Sequence, residues 1–357
     1  MKNKNITFKH LLIFWAFFSM ASLYAQRIEK KVNTVKTYTL TDPEHSLLKI
    51  NTRFSEIRFI PSDKPEIVLV SDLRVKGDEK KVNRFINNFF IDDKIHNHLI
   101  DIAFDFNYEE INLFQKLEFE HKIEIRYPEN ISLEIEGDYL KIHLNQLKGN
   151  LRLDTDYAKL YLGYLRGKDN NIEGDYIRAN IKFIHNADID SDFSVFNIDM
   201  NFKLDIQGDH SKYTVKRAKN IRVDGDFVRL NSGRTYYINF NSDHSQYQLR
   251  KTCKIVGSGD YNEFTISDLP EKFRLINING DFQSIKIINN RAVPYRFEIK
   301  MDFGDLEYND LQFETRIIDN DEKYFKGYYL NPDTDKIMYF NLGYGELSFE
   351  NKTAKKQ

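Results

Sequence analysis

Cysteine, proline and glycine are scarce in this 357-residue chain, which contains one Cys, 7 Pro and 16 Gly. A single cysteine cannot form an internal disulfide or a cysteine-based zinc site. The low glycine and proline contents exclude collagen-like and low-complexity sequences. Neither sign of charge dominates, because 52 Lys and Arg residues are matched by 54 Asp and Glu residues. The net charge therefore gives no reason to expect a nucleic-acid partner.

Long apolar runs are also missing, except for one at the N-terminus. Residues 1–25 contain three lysines and no acidic residue, and their apolar run extends from Leu11 to Leu23 before Ala25. This order is typical of a secretory signal peptide, and the run is shorter than the ~20 residues that a membrane-spanning helix needs. The sequence predicts a signal peptide at residues 1–25 and an exported mature chain without a transmembrane helix.

What the sequence does contain is a repeat, marked by a small residue, then Asp, then an aromatic residue or His. Successive Asp residues lie 17 to 21 positions apart. In the tenth copy Met takes the place of the small residue. The copies are Gly137-Asp138-Tyr139, Thr155-Asp156-Tyr157, Gly174-Asp175-Tyr176, Ser191-Asp192-Phe193, Gly208-Asp209-His210, Gly225-Asp226-Phe227, Ser242-Asp243-His244, Gly259-Asp260-Tyr261, Gly280-Asp281-Phe282 and Met301-Asp302-Phe303.

Apolar residues recur at fixed distances from each Asp. In the copy at Asp175, Ile172 lies three positions before it, and Ala179 and Ile181 lie four and six positions after it. A spacing of two is the signature of a β-strand, because alternate side chains share a face. The alternation of apolar and polar positions shifts by one residue between the aromatic residue and the next apolar position. This shift indicates a corner in the chain, which the Gly-Asp or Ser-Asp pair can form. Residues 48–59 and 338–349 carry the same offsets without the Asp.

This pattern predicts an all-β fold, a parallel β-solenoid with about 17–21 residues per coil. Val82, Phe85, Ile86 and Phe89 form one apolar stripe and predict a short helix in an N-terminal insertion. A second insertion near residues 311–337 has the pattern of a strand hairpin with a turn at 331–333. We predict a signal peptide (1–25), N-terminal strands with the helix (26–127), a regular solenoid (128–310) and C-terminal strands or a cap (311–357). An antiparallel arrangement is the main alternative.

The repeated units resemble the adhesin-like domain family of Gram-negative envelopes, which is related to autotransporter-adhesin head domains. The resemblance covers residues 36–350 and includes Gly343-Tyr344-Gly345, although this chain elsewhere favours Asp before the aromatic residue. It implies a repeat-rich β-solenoid in the cell envelope, and it brings no catalytic residues with it.

The column of Asp residues is the strongest candidate for a metal-binding or catalytic role. Carboxylates stacked along one edge could bind Ca²⁺ between coils or imitate a pair of glycosidase carboxylates. However, the Asp recurs in coil after coil, whereas an active site interrupts a repeat. Capping of backbone N–H groups at the turns is the favoured interpretation.

Other candidate residues have simpler explanations. His210 and His244 occupy the aromatic position two coils apart, too far to share a metal ion, and His96 and His98 have no evident third ligand. Cys253 has no readable partner. The aromatic column (Tyr139, Tyr157, Tyr176, Phe193) could form an exposed strip for sugar rings, but packing in the core or at the corner is favoured.

The sequence therefore predicts no catalytic, cofactor-binding or metal-binding residues. We expect an exported, non-enzymatic protein of the periplasm or cell surface of a Gram-negative bacterium, either adhesin-like or structural. Its partner would be an envelope protein or glycan, and no nucleic acid. The alternative is a carbohydrate-active enzyme, a polysaccharide lyase or hydrolase, built on a β-solenoid.

Overall fold

The computed structural model describes residues 27–106 and 117–351. The predicted signal peptide lies outside the described residues. The fold is all-β with one α-helix, and a short 3-10 turn spans Pro43–His45. The N-terminal elements are β1 (Arg27–Thr39), β2 (Leu47–Asn51), β3 (Ser55–Pro61), β4 (Glu66–Asp78), α1 (Glu79–Asn87), β5 (Phe90–His96), β6 (Leu99–Asp105) and β7 (Glu118–Tyr127).

The remaining strands carry the repeats and the C-terminal hairpin. The first of them are β8 (Ser132–Glu136), β9 (Lys141–Leu147), β10 (Leu151–Asp154), β11 (Lys159–Leu165), β12 (Asn170–Glu173), β13 (Arg178–Asp190), β14 (Val195–Gln207), β15 (Lys212–Asp224) and β16 (Arg229–Asn241). They are followed by β17 (Gln246–Arg250), β18 (Thr252–Ser258), β19 (Glu263–Ser267), β20 (Leu275–Gly280), β21 (Gln283–Asn289), β22 (Tyr295–Tyr308), β23 (Gln312–Asp319), β24 (Glu322–Tyr329) and β25 (Ile337–Asn351).

Strands from successive repeats pair in parallel and in register. Ile172 pairs with Ile189, and Ile189 pairs with Ile206, so each residue lies beside its equivalent in the next repeat. The strand segments before each Asp form one row, the upstream row, and the segments after each aromatic residue form a second, the downstream row. Strands β13 to β16 are long enough to run from the downstream row of one repeat into the upstream row of the next.

The two rows are joined into one sheet. Parallel pairings link β16, β18, β20, β25, β21, β19 and β17 in a closed seven-stranded barrel, because β16 and β25 each pair in both rows. The other strands extend the sheet on either side of this ring. The all-β prediction and the parallel pairing of repeats are thus confirmed.

One continuous apolar core fills the space between the rows. Its side chains come from the repeated apolar positions, for example Ile135, Leu153 and Val223, which are fully buried or nearly so. Because alternate residues of a strand point to opposite faces, the intervening side chains point outward. The repeated offsets in the sequence therefore identify the core correctly.

The N-terminal insertion extends both rows. Strand β2 pairs with β8 on one side and with β6 on the other, and β3 lies in the same way between β9 and β7. The predicted helix is confirmed as α1, which begins after the Asp78 cap and buries Val82 and Phe85. Phe89 lies beyond its C-terminal end and packs against the core.

The C-terminal end differs from the order expected along the chain. Strand β25, the last repeat, lies between β21 and β22, so it separates two repeats that precede it in the sequence. The hairpin of β23 and β24 is antiparallel, as predicted, and β24 pairs with β22. Its turn lies at Asn320 and Asp321, not at residues 331–333, which connect β24 to β25. In the described part of the chain, no helix has the length and apolarity needed to cross a membrane.

Two positions in the apolar columns hold Ser232 and Gly257 in place of a larger apolar residue, and the packing of the core explains both. Ser232 is buried and its hydroxyl bonds to that of Thr235 inside the core. At Gly257, an added Cβ would lie 2.5 Å from the ring of Phe240, which contacts Tyr247 and Phe264. The glycine therefore makes room for an aromatic cluster.

We predict that Gly257→Ala destabilises the fold by about 1–3 kcal/mol, because the new methyl group overpacks the core against Phe240 and its carbonyl oxygen. The free energy of unfolding measured in denaturant tests this. Ser258→Ala, at the exposed neighbouring position, is the control and should change it little. Equal stability of the two variants would contradict the packing at Gly257.

Candidate functional site

The corner between the two rows has an unusual backbone. Gly174 has a φ of +122°, which L side chains rarely adopt, and two residues later Tyr176 has a φ of +56°. Positive φ also occurs at the equivalent aromatic or His position of the other copies from Phe54 to Phe282. The left-handed conformation costs a bulky residue roughly 1–2 kcal/mol. Interactions along the corner must therefore offset a repeated local strain.

The Asp column supplies the first of these interactions. From Asp156 to Asp260, Oδ1 of each repeat Asp accepts a hydrogen bond from the backbone N–H of the Asp in the next repeat, at 2.6–3.0 Å. The ladder runs through Asp156, Asp175, Asp192, Asp209, Asp226, Asp243, Asp260 and Asp281. Asp281 extends it to the N–H of Gly343 in β25 at 3.0 Å. The interpretation of the Asp column as backbone caps is confirmed, with the cap reaching across repeats.

One oxygen of each carboxylate in the ladder is already occupied by a backbone donor. Within residues 27–106 and 117–351, no group of three or more His, Cys, Asp or Glu side chains could hold a metal ion. Capping of the backbone explains why Asp recurs at the same position in successive repeats of this chain.

The aromatic column supplies the second interaction. Its rings follow one another with centroids 4.6–5.4 Å apart, from Phe54 at one end to Phe303 at the other, and all are stacked except at His244, which is tilted against both neighbours. The order is Phe54, Tyr139, Tyr157, Tyr176, Phe193, His210, Phe227, His244, Tyr261, Phe282, Tyr344 and Phe303. Stacked pairs contribute ~0.5–1.5 kcal/mol beyond area burial, which helps to offset the backbone strain.

The column lies at the corner, as predicted, but it is not buried. Tyr157 is 49% exposed and Phe193 is 52% exposed. The left-handed backbone turns each ring outward, a property that the sequence pattern does not reveal. Because each internal ring is covered by its neighbours on both faces, only ring edges are accessible. A sugar ring cannot stack on such a surface, so the exposed strip is a structural ladder.

The remaining predicted candidates are scattered. Phe227 lies between His210 and His244, which confirms their separation by two repeats. His96 ends β5 and His98 lies in the turn before β6, both exposed. Cys253 is half-buried in β18, and burial raises the pKa of its thiol. The structure does not bring these residues together.

A feature that the sequence reasoning missed lies on the outward surface of the downstream row, here called the downstream face. Two adjoining grooves of about 480 and 540 Å³ cross its strands, and both are lined by Thr214 and Lys216. Uncharged polar side chains at equivalent positions form their floor. These are Asn180, Asn197, Thr214, Asn231, Gln248 and Thr265.

The ends and edges of these grooves add other groups. Tyr161 is 42% exposed and lines the first groove, and its ring stacks on His143 of the preceding repeat at 4.7 Å. Lys216 forms an ion pair with Asp199 at 2.6 Å. Such a surface can donate and accept hydrogen bonds along an extended ligand.

A second feature missed by sequence reasoning is the buried His121. Its Nδ1 lies 2.8 Å from the Ser55 hydroxyl and its Nε2 lies 2.9 Å from the Ser71 hydroxyl. The rings of Phe89, Phe104 and Phe106 surround it edge-on, and burial lowers its pKa to about 4. A lone His within a strand pattern gives no sequence signal for this environment.

Comparison with known proteins leaves the family open. No protein-family model matches the chain, and no curated protein matches it. Three solved structures are similar at 10–11% identity: a provisionally named cell adhesion protein from Clostridium sporogenes, a provisionally named adhesin from Bacteroides fragilis and a provisionally named lipid binding protein from Parabacteroides distasonis. The matches cover 90%, 90% and 88% of this chain and 100%, 98% and 96% of the others, with TM-scores of 0.21, 0.27 and 0.28. TM-scores this low carry no argument, so the resemblance to adhesin-like domains stays a prediction.

We predict that Asp226→Ala costs about 1–2 kcal/mol of stability, because the N–H of Asp243 loses its acceptor at 2.7 Å. Asp226→Asn keeps a side-chain carbonyl acceptor and should cost less than half as much. The melting temperature of the wild type should be the same in Ca²⁺ and in a chelator. Stabilisation by Ca²⁺ that Asp226→Asn removes would contradict the capping role.

We also predict that stability falls between pH 6.5 and pH 4 because of His121. Its pKa of about 4 in the folded state lies below the unfolded value of 6.5, so the unfolded chain binds the proton first. The loss should reach about 3 kcal/mol in unfolding free energy across this range.

His121→Gln is the matched variant, because its amide can still bond to Ser55 and Ser71 without titrating. The pH dependence of its unfolding free energy should be correspondingly smaller than that of the wild type. Identical pH dependence in the two proteins would show that His121 does not titrate as a buried neutral imidazole.

Proposed function

We propose that this chain is an exported, non-enzymatic, adhesin-like binding protein of the cell envelope, built as a parallel β-solenoid. In-register pairing of residues one repeat apart supports the solenoid, since each repeat then contacts its neighbours through the same positions. Stacked repeats form a stiff body whose outward faces present the same residue types at regular intervals. Such a surface suits an extended ligand better than a small one.

The observation that carries the proposal is the pair of grooves on the downstream face. They are open, they continue from one repeat to the next, and amides and hydroxyls line them beside apolar groups. Small-molecule sites, in contrast, are clefts or cavities that enclose most of the ligand. The downstream face is therefore proposed as the surface that binds a polymeric partner, a glycan.

The composition of the grooves also argues against one of the two alternatives, a polysaccharide hydrolase. Glycoside hydrolysis needs two carboxyl groups on either side of the scissile bond. Asp199 is the one carboxylate among the groove-lining residues, and it is paired with Lys216. No second carboxylate is placed to act with it, which supports a binding role.

The proposed location rests on the N-terminal sequence. The basic and apolar pattern of residues 1–25 directs export, and the chain would then reside in the periplasm or on the surface of a Gram-negative cell. Its partner is an envelope component. Cell fractionation with an antibody to the mature chain tests this part of the proposal.

We predict that the protein binds polysaccharides through the downstream face without cleaving them. Thr214→Trp places a bulky side chain in both grooves and should weaken binding about 10-fold or more, a loss of at least ~1.4 kcal/mol. Arg222→Trp, on the outward surface of the upstream segment of the same strand β15, is the control and should bind as the wild type does. Binding is measured on a polysaccharide array and by calorimetry.

Each part of this proposal can fail separately. Appearance of reducing ends or unsaturated products from any polysaccharide would overturn the non-enzymatic role. Equal losses in Thr214→Trp and Arg222→Trp would exclude the downstream face. Absence of binding to every polysaccharide tested would overturn the glycan-binding function.

A further inference from the structure

The near-zero net charge of the chain hides two faces of opposite charge. The downstream face comprises the outward side chains of β9, β11, β17 and the downstream segments of β13 to β16. At the third, fifth and seventh positions after each Asp it carries eight cations, Lys141, Lys159, Arg178, Lys182, Lys212, Lys216, Arg229 and Arg250, and one acidic residue, Asp199. The next strand, β19, which also lines the second groove, adds the acidic Glu263. Positive charge is therefore concentrated on the face that holds the grooves.

The corresponding upstream face has the opposite composition. It comprises the outward side chains of β8, β10, β12 and the upstream segments of β13 to β16. It carries eight acids, Glu134, Glu136, Asp154, Glu173, Asp188, Asp190, Asp205 and Asp224, and three cations, Arg152, Lys203 and Arg222. The pKa of the Asp154 carboxyl is raised by burial and by the neighbouring Glu173 and Glu136, as expected in a crowded acidic surface.

Five of the eight cations on the downstream face have no ion-pair partner among the described residues. Within the described residues, Lys141, Lys216 and Arg250 form ion pairs, with Glu56, Asp199 and Asp268. The other five, Lys159, Arg178, Lys182, Lys212 and Arg229, form no ion pair with any residue that the structure describes. Like charges gathered on one face without counterions raise the local concentration of anions.

The cations occupy two positions of the repeat. Five lie at the third residue after the Asp, as in Arg178 and Lys212, and three lie at the seventh, namely Lys182, Lys216 and Arg250, which line the grooves. Four residues along a strand separate the two positions by about 13 Å. Seven strand segments at ~4.8 Å each give the face a length of roughly 29 Å. These dimensions fit one extended chain.

The side chains between these two positions of the repeat indicate what kind of polyanion fits. Amides and hydroxyls such as Asn197 and Thr214 both donate and accept hydrogen bonds, as sugar hydroxyls require. One side of the Tyr161 ring is covered by His143. The other side is next to Asn180, the residue paired with Tyr161 in the next repeat, whose side chain is shorter. This second side of the ring can therefore stack on a sugar ring.

We propose that the downstream face binds a linear acidic polysaccharide, whose carboxylate or sulfate groups pair with the cations at these two positions. Its hydroxyl groups bond to the amides and hydroxyls between them. This inference rests on the proposed glycan-binding function and specifies the class of glycan. Single-stranded nucleic acid fits this face less well. Proteins that bind it stack successive bases on several exposed aromatic rings. Among the residues that line the two grooves, Tyr161 is the one aromatic residue.

The test measures affinity for polygalacturonate and heparin beside the neutral polymer dextran, using the mature chain. The variant combines Arg178→Gln, Lys212→Gln and Arg229→Gln, three exposed cations without ion pairs. It should lose affinity for an acidic polymer on the order of 10-fold or more, since exposed ion pairs each contribute up to about fivefold. Raising the salt concentration to ~1 M should weaken wild-type binding as well.

The matched control combines Lys64→Gln, Lys80→Gln and Lys94→Gln, which changes the net charge equally at exposed sites away from this face. It should bind as the wild type does. Circular dichroism and the melting temperature confirm that both triple variants are folded, so a loss of affinity reports on the face itself.

The outcomes separate this inference from the function on which it rests. Tight binding to dextran that is insensitive to salt and to the triple variant would overturn the acidic class while leaving glycan binding intact. Equal or tighter binding of single-stranded DNA or of anionic lipid vesicles, lost in the same variant, would overturn it in favour of those partners. Salt-sensitive self-association without polysaccharide binding would assign the face to the acidic face of a second copy and overturn both.

Discussion

The hydrogen bond that the backbone N–H of a corner Asp donates to the carboxylate of the corner Asp one repeat earlier fixes the register on which the rest of the structure depends. Since side chains alternate across a strand, a slip of one residue would turn the core outward and the charged side chains inward. The caps at Asp175 and Asp192, together with the ring stack beside them, hold neighbouring repeats at one register. Both the buried apolar columns and the outward charged lines follow from that alignment.

Register also explains how an almost neutral chain acquires two charged faces. Residues at the same distance from the Asp in successive repeats lie side by side on one face. A charge type that recurs at that distance therefore forms a row along the face. Cations gather three residues after the Asp, as in Arg178 and Lys212, while acids gather two residues before it, as in Glu173 and Asp190. Net charge sums over both faces and conceals the separation.

Much of the fold follows from the sequence, because the repeat determines which residues are buried and which pair. The apolar offsets around Asp175 and the stripe of α1 are local patterns that survive in the structure. The exposure of Tyr157 depends on a left-handed φ that no spacing encodes. The insertion of β25 between β21 and β22 breaks the expectation that consecutive repeats are neighbours. The grooves and His121 arise from residues distant in sequence, so single-sequence patterns did not identify them.

In-register stacking is tested most directly by cross-linking in a chain whose one cysteine is replaced, Cys253→Ser. Asn197 and Thr214 are partners in adjacent strands, at a distance that a disulfide can span. The pair Asn197→Cys and Thr214→Cys should oxidise readily to an intramolecular disulfide. The offset pair Asn197→Cys and Lys216→Cys should oxidise far more slowly. Equal rates for the two pairs, or faster oxidation of the offset pair, would contradict the register and everything that follows from it.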